Sequence, residues 1–205
     1  MTIVTRQAKG APLTHAEGDN NIVELDTRTK LGWRDTVVQL IPRGGPTEPP
    51  MQLFIGGLYF FSFSYLDMQE GFASFHVDHD YALGTPLYPH IHWSCATSDI
   101  GTVRWGFEYT LAKGHQQMAF GPSTTVYVEQ STDGTPFKHY IAEVPDASAI
   151  PGLNVEPDTL IIMRVFRDAT HVNDTLNTNA YGICVDLHYQ ADKATTPNKA
   201  PNFFA

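Results

Sequence analysis

A strict two-residue alternation of apolar and polar side chains between Val103 and Leu111 limits the fold more than any other feature of this sequence. Successive side chains of a β-strand point to opposite faces of a sheet, so this pattern predicts a strand with one face in a core. A sheet with one buried and one solvated face is typically antiparallel. The apolar positions of the pattern are Val103, Trp105, Phe107, Tyr109 and Leu111.

Seven further segments have strand-like patterns, and turn residues separate them. Glycine, proline and aspartate mark the turns, as at Asp133-Gly134 and Ile150-Pro151-Gly152. About eight short strands and no helix in this region predict an all-β fold, an antiparallel β-sandwich of jelly-roll type. The segments are residues 53–65, 72–77, 87–96, 124–130, 137–144, 159–167 and 181–190.

The two ends of the chain differ from this β-rich middle. Residues 1–45 are predicted to form an extended N-terminal arm and linker, because the first part is polar without period-2 alternation and four prolines follow within residues 42–50. Thr14 and Glu17 fit a capping box before a short helical turn. Residues 46–190 form the predicted sandwich. Residues 191–205 form an extended C-terminal tail that docks either on its own domain or on a neighbouring subunit.

Composition narrows the classes of partner. The formal net charge of -9 argues against nucleic-acid binding, which depends on Lys and Arg displacing counterions from phosphates. Neither a secretory signal nor an apolar run of membrane-spanning length is visible, so we expect assembly in a cytoplasm and no membrane partner. Only 17% of residues are charged while 12% are aromatic, which favours an oligomer. Cys95 and Cys184 are expected to be buried, reduced thiols.

His90 and His92 lie one residue apart in a predicted strand and should therefore share one face, with Ile91 and Trp93 on the other. Such a pair either binds a metal ion or belongs to a row of packed polar side chains at a subunit interface, called here the histidine seam. A mononuclear metal site needs three or four protein ligands, and only these two histidines are in evidence. The seam is the preferred interpretation, so neither a metal nor a cofactor is predicted. His90 and His92 are kept as the candidate ligands.

Other polar residues in strands are interpreted in the same way. Asp186 and His188 share a face of the last strand and are expected to hydrogen-bond to neighbouring strands. The segment Asp78-His79-Asp80 is expected to be a solvated strand end. Arg164, Arg167 and Asp168 are expected to form ion pairs that serve the histidine seam.

An enzyme is not predicted. Gly84 is followed, after five residues, by His90-Ile91-His92, and this spacing resembles the first motif of cupins. The resemblance implies a metal-dependent enzyme as one alternative. Ala96 and Thr97 stand where that motif has its glutamate ligand, and the second cupin motif is missing. The sequence also lacks a nucleophile elbow, a Walker loop and an HExxH motif, so no catalytic residue is assigned.

Two stretches of this sequence resemble segments of known proteins. Residues 9–21 resemble a segment near the N-terminus of many phage fibre and tail-associated proteins, with Gly18 and Asn21 where valine and phenylalanine are expected. From residue 72 onward the chain resembles a group of phage structural proteins that share three stretches. In this sequence they are residues 75–81 with 87–93, residues 164–168 with 173–175, and residues 186–190 with 198–203.

This resemblance implies a virion structural protein, assembled in the host cytoplasm. It would be a homotrimeric capsid-decorating or cement protein, or a head or tail fibre knob, anchored by its N-terminal arm. Its partners would be its own copies and the major capsid protein or a tail or portal component. The sequence does not decide between a location on the phage head and one on the tail. A carbohydrate-binding receptor-recognition knob, with a host surface glycan as ligand, is the alternative; Trp93 and Trp105 are expected in the core and not at such a site.

Overall fold

A computed structural model of the protein describes residues 3–28 and 32–192. The predicted C-terminal tail beyond Asp192 lies outside the described residues. The helices are α1 (Arg6–Lys9) and α2 (His15–Arg28), with short 3-10 helices at Asp146–Ser148 and Gly152–Asn154. The strands are β1 (Gly32–Val38), β2 (Met51–Ile55), β3 (Leu58–Phe63), β4 (Gln69–His76), β5 (Leu87–Ser94), β6 (Thr102–Lys113), β7 (Thr124–Ser131), β8 (Tyr140–Glu143), β9 (Thr159–Arg167) and β10 (Ala180–Ala191).

The strands form two antiparallel sheets, which confirms the predicted all-β class. Sheet 1 has the order β2-β3-β10-β5-β8, with β1 also paired to β10. Sheet 2 has the order β4-β9-β6-β7. The strand β10 is long enough to pair with β3 through its first residues and with β1 through its last, while β5 lies along its other side.

The core lies between the sheets and is built from the inward faces of most of the strands. The alternation in β6 behaves as predicted, since Val103, Trp105 and Phe107 are fully buried. Trp93 of sheet 1 stacks edge-on against Trp105 of sheet 2, with 6.0 Å between the ring centroids. Large aromatic side chains thus join the two sheets and bury much of the apolar area that stabilises the fold.

Two strands differ from the sequence-based expectation. The segment 53–65 is a hairpin and not one strand, because the chain turns at Gly56-Gly57, where Gly56 has a φ of 59°. The strand β1 lies within the predicted arm, and it pairs along its whole length with β10. Most of its side chains are exposed, so its sequence carries no core-facing alternation and gave no strand signal.

The N-terminal residues 3–28 form a small helical unit. The predicted capping box is present: the Glu17 amide donates to Thr14 Oγ1 at 3.2 Å, and the Thr14 amide donates to Glu17 Oε2 at 2.8 Å. The helix that follows has 14 residues and is longer than the single turn expected. The Asn21 side chain accepts from the Val4 amide and donates to the Val4 carbonyl, which ties α2 to the chain before α1. None of the described side chains of either helix is buried.

No helix among the described residues combines the length and apolar character needed to cross a membrane.

Candidate functional site

The paired histidines lie on the outward face of sheet 1. Ile91 and Trp93 point into the core and are fully buried, which confirms that His90 and His92 share the opposite face of β5. Although this face points away from the core, His90 is only 1% exposed. Its burial comes from polar side chains on the neighbouring strands.

The strand β10 brings a carboxylate to the histidines. Asp186 lies directly opposite His90 in the antiparallel register, and Cys184 lies opposite His92. An extra residue, Ile183, bulges out of β10 between Gly182 and Cys184. Gly182 faces the core, because a Cβ atom placed on it would meet the core side chains of Phe63, Leu40 and Ile91. The bulge therefore shifts the strand phase by one residue and turns Asp186 outward.

His90, His92 and Asp186 form a compact group, the inner cluster. Asp186 Oδ2 lies 3.1 Å from His92 Nε2 and 3.6 Å from His90 Nε2. The remaining ring nitrogens have other partners. His90 Nδ1 lies 3.4 Å from the Tyr88 carbonyl oxygen, and His92 Nδ1 lies 2.6 Å from His139 Nε2.

Two atoms of the inner cluster are buried without a hydrogen bond. They are His92 Nε2 and Asp186 Oδ1. The 3.1 Å approach of His92 Nε2 to the other oxygen of Asp186 lacks the alignment of a hydrogen bond, so it is a close polar contact only. Asp186 is 4% exposed, and an unsatisfied polar atom at that depth is costly.

A second layer of polar groups surrounds the inner cluster. The His188 ring lies over the His90 ring, with 4.1 Å between the centroids. His188 Nε2 lies 2.5 Å from Asp35 Oδ1, and His188 Nδ1 contacts Glu143 Oε2. Both ring nitrogens of His188 are thus engaged by carboxylates, one from β1 and one from β8.

Burial shifts the pKa of His90 and of both cysteines. It lowers the pKa of His90 below its usual value, and the charge of Asp186 offsets this only in part. Burial and the nearby Asp186 charge raise the pKa of Cys184 to about 12. Burial also raises the pKa of Cys95. Neither thiol is therefore activated as a nucleophile. Both are free thiols; Cys95 is buried, as expected, whereas Cys184 is only partly buried.

An open cleft of about 320 Å³ adjoins this face of sheet 1. Trp33 stands at its rim, 59% exposed, with its ring edge-on to Tyr88 at 5.6 Å between centroids. Sequence reasoning missed Trp33 because it lies in the predicted arm. Trp93 and Trp105 are fully buried, as expected, which leaves Trp33 as the exposed tryptophan. The cleft is lined by Trp33, Tyr88, Glu143, Asp146 and His188.

The expectation that Arg164, Arg167 and Asp168 form ion pairs beside His90 and His92 is wrong. Arg164 and Arg167 belong to sheet 2, on the other side of the core. Arg164 pairs with Glu70 and Glu108, and Arg167 pairs with Asp174. Asp168 pairs with Arg104 in the same sheet.

The segment after β4 also differs from its predicted solvated state. Asp80 is 7% exposed and accepts a hydrogen bond from Tyr189 at 2.8 Å. His76 and His79 lie next to Asp158 and not next to the inner cluster. The third member of the inner cluster, Asp186, was visible in sequence only as a same-face neighbour of His188.

No protein-family model matches this chain, and a search of curated proteins finds no matching sequence.

Proposed function

We propose that this chain is a virion structural protein of a tailed bacteriophage, a homotrimeric capsid-decorating or cement protein or a fibre knob anchored by its N-terminal arm. The proposal includes no catalytic step. One observation carries it: an apolar surface on the β2–β3 hairpin that the single chain leaves exposed.

The apolar surface continues the core face of the sandwich. Phe63 and Tyr59 share one face of β3 because they are four residues apart, and Phe63 is fully buried in the core. Tyr59 is 55% exposed. Its cross-strand partner Leu53 and the nearby Met51 are exposed to a similar degree. We call Met51, Leu53 and Tyr59 the hairpin overhang.

Large contiguous apolar patches on soluble proteins commonly mark protein interaction sites. A closed symmetric oligomer can cover the same patch on every copy, which supports self-association through the hairpin overhang. The outward face of sheet 1 carries His90, His92 and other polar groups that contact one another. This face is compatible with a second contact between copies.

The N-terminal unit supports the anchoring role. Residues 9–21, which resemble phage fibre segments, include the capping box and the start of α2. This unit holds its own shape through Asn21 and Glu17 but buries none of its described side chains. Three such units on one trimer would bind a particle multivalently, so weak individual contacts would add to a strong attachment.

A jelly-roll fold is part of the same proposal. In a jelly roll of eight strands, the first strand pairs with the last, the second with the next to last, and so on inward. Counting from β3, the pairs β3–β10, β4–β9, β5–β8 and β6–β7 are all hydrogen-bonded. This nested order supports the jelly roll, with β1 and β2 added at the edges of sheet 1. The jelly roll is common among viral capsid and related domains.

The decisive experiment is quantitative mass spectrometry of purified particles of the phage that encodes the chain. We expect the chain in intact particles. A copy number that follows the capsid subunits indicates decoration, whereas one that matches symmetric tail appendages indicates a fibre knob. Absence from intact particles, with the chain present in infected cells, would contradict the proposal.

The cleft beside the histidines favours a second candidate, a glycan-binding knob. An exposed tryptophan edge-on to a tyrosine offers a platform for a sugar ring, and the carboxylates of Glu143 and Asp146 offer acceptors for hydroxyl groups. A glycan array of the full chain tests this. Selective binding that Trp33→Ala removes, and that the control Tyr127→Ala on sheet 2 leaves intact, supports the candidate. A lack of selective binding rejects it.

A further inference from the structure

We propose that His90, His92 and Asp186 bind one divalent transition-metal ion, of the zinc class, within each chain. This site goes beyond the proposed structural function and does not depend on it. The sequence pattern offered only the two histidines, whereas the fold adds a buried carboxylate from a distant strand.

The spacing of the ligand atoms suits a small tetrahedral ion. Each of the three residues offers one ligand atom, and these atoms all lie within 4.8 Å of one another. Atoms bound at roughly 2.0–2.1 Å to a tetrahedral zinc ion are about 3.3–3.4 Å apart. The two distances from Asp186 Oδ2, 3.1 Å to His92 Nε2 and 3.6 Å to His90 Nε2, bracket that value. Two of the three ligand-atom spacings thus suit the ion, and the third lies within 4.8 Å.

The unsatisfied atoms lie in the same place. His92 Nε2 and Asp186 Oδ1 are buried and make no hydrogen bond. The side chain of Asp186 is 6% exposed, and no Lys or Arg side chain forms an ion pair with it among the described residues. A buried carboxylate without a cation is unfavourable, and a divalent ion would supply the missing positive charge.

The outer ring nitrogens are held as metal-binding histidines usually are. His90 Nδ1 faces the Tyr88 carbonyl, an acceptor, so the proton belongs on Nδ1 and the lone pair on Nε2 points toward Asp186. His92 Nδ1 contacts His139 Nε2. When His139 accepts, the lone pair of His92 Nε2 also faces the carboxylate. Lone pairs and a carboxylate that converge in this way repel one another unless a cation lies between them.

A neighbouring set of possible ligands, Asp35, His90 and His188, is a weaker site. His188 already contacts two carboxylates, Asp35 and Glu143, through its two ring nitrogens. The inner cluster, in contrast, has the unsatisfied atoms. Two imidazoles and one carboxylate suit zinc and similar transition metals and do not suit Ca²⁺ or Mg²⁺, which prefer all-oxygen sites.

The test uses the full chain without an affinity tag. The protein is stripped with a chelator, equilibrated with Zn²⁺ alone, dialysed and analysed for bound zinc, and titrated by calorimetry. We expect one equivalent per chain and a higher melting temperature with zinc, because a ligand that binds only the folded state stabilises it. His92→Gln and Asp186→Asn should each weaken binding at least about tenfold, and His139→Phe by about 10–100-fold.

His76→Gln is the matched control, since His76 is an exposed histidine that pairs with Asp158 outside the cluster. It should bind zinc like the wild type. If a cluster variant unfolds, Co²⁺ bound to wild-type protein provides a second readout, because histidine ligation changes its visible spectrum. Lack of zinc retention by folded wild-type protein, or unchanged binding in His92→Gln and Asp186→Asn, overturns the site. A stoichiometry of one ion per three chains also overturns it, in favour of an ion shared on a trimer axis.

Discussion

At the scale of single residues, the buried charges of sheet 2 explain how a loop is held to the sandwich. Arg167 is fully buried at the end of β9. Its guanidinium donates two hydrogen bonds to Asp174, at 2.7 and 3.0 Å, and others to the carbonyl oxygens of Leu176 and Thr178. Only arginine has a fork of donors that can serve a carboxylate and two carbonyls at once. This one side chain therefore anchors the connection between β9 and β10.

We expect Arg167→Met to lower the free energy of unfolding by about 3–5 kcal/mol, because it leaves the carboxylate of Asp174 buried and unpaired. Urea denaturation followed by tryptophan fluorescence measures this. Lys138→Met, which removes an exposed cation paired with Asp133, is the control and should cause a far smaller change. A loss below about 1 kcal/mol for Arg167→Met would show that the loop is held by other contacts.

Glu70 provides a pH-dependent contribution to stability. Its side chain is 5% exposed and contacts Arg43 and Arg164. Burial by itself raises the pKa of Glu70. Hydrogen bonds from the two arginines lower it by a larger amount, so the pKa of Glu70 lies below its usual value. Because the folded-state pKa is depressed, Glu70 stabilises the protein above the unfolded-state pKa. That contribution is lost as the pH falls through the folded-state pKa.

The variant Glu70→Gln should therefore be less stable than wild type at pH 7, by about 2 kcal/mol. The difference should shrink once the pH falls below about 4.3, the usual pKa of glutamate. Denaturation of both proteins between neutral and acid pH measures the difference directly. A difference that stays constant into strong acid would mean that the charge of Glu70 contributes nothing.

At the scale of strands, a glycine and an aromatic ring join β6 to β9. Gly106 lies directly opposite Phe166 in the register, and Phe166 is 3% exposed although it points away from the core. A Cβ atom placed on Gly106 would lie 2.2 Å from Phe166 Cζ. The tip of the Phe166 ring therefore occupies the space next to Gly106 that a larger side chain would fill.

Gly106→Ala should destabilise the protein by about 1–3 kcal/mol, since the new methyl group forces the Phe166 ring aside. Adding Phe166→Leu should recover part of that loss, giving a non-additive double-mutant cycle. Gly121→Ala, where no atom lies within 4 Å of the new Cβ, serves as the control and should change stability little. Strictly additive effects would contradict the close packing.

At the scale of the whole molecule, the hairpin overhang is an apolar surface that the single chain leaves exposed. The inner face of sheet 1 continues through Tyr59 and Leu53 beyond the part that is buried. Burying such a surface between copies is favourable, at roughly 25 cal/mol for each Å² of apolar area removed from water. The overhang thus links the fold to the proposed trimer.

We expect wild-type protein in solution to have three times the 22.8 kDa mass of one chain, as measured by light scattering after gel filtration. The double variant Leu53→Glu/Tyr59→Glu should be a folded monomer, because charges on the overhang cannot be buried without partners. Val172→Glu, a change at a residue that is 83% exposed on a loop, should remain a trimer. A monomeric wild type, or a double variant that still forms trimers, contradicts assembly through the hairpin.

The sequence by itself determined which side chains share a face within the strands that it predicted, because the alternation of faces is a local property of extended backbone. It placed His90 and His92 on one face, Trp93 and Trp105 in the core, and a capping box at Thr14. It did not reveal β1, because the residues of β1 are mostly exposed and carry no apolar alternation. Only the pairing with β10 in the structure identifies this segment as a strand.

Only the tertiary structure decided which residues meet. Asp186 joins the histidines because β10 pairs with β5 in one register, and because the bulge at Ile183 turns the rest of the strand over. A shift of one residue would have sent Asp186 into the core and Val185 outward. Register depends on packing between residues that are far apart in the chain, so neither the inner cluster nor the Trp33 cleft could be derived from local patterns alone.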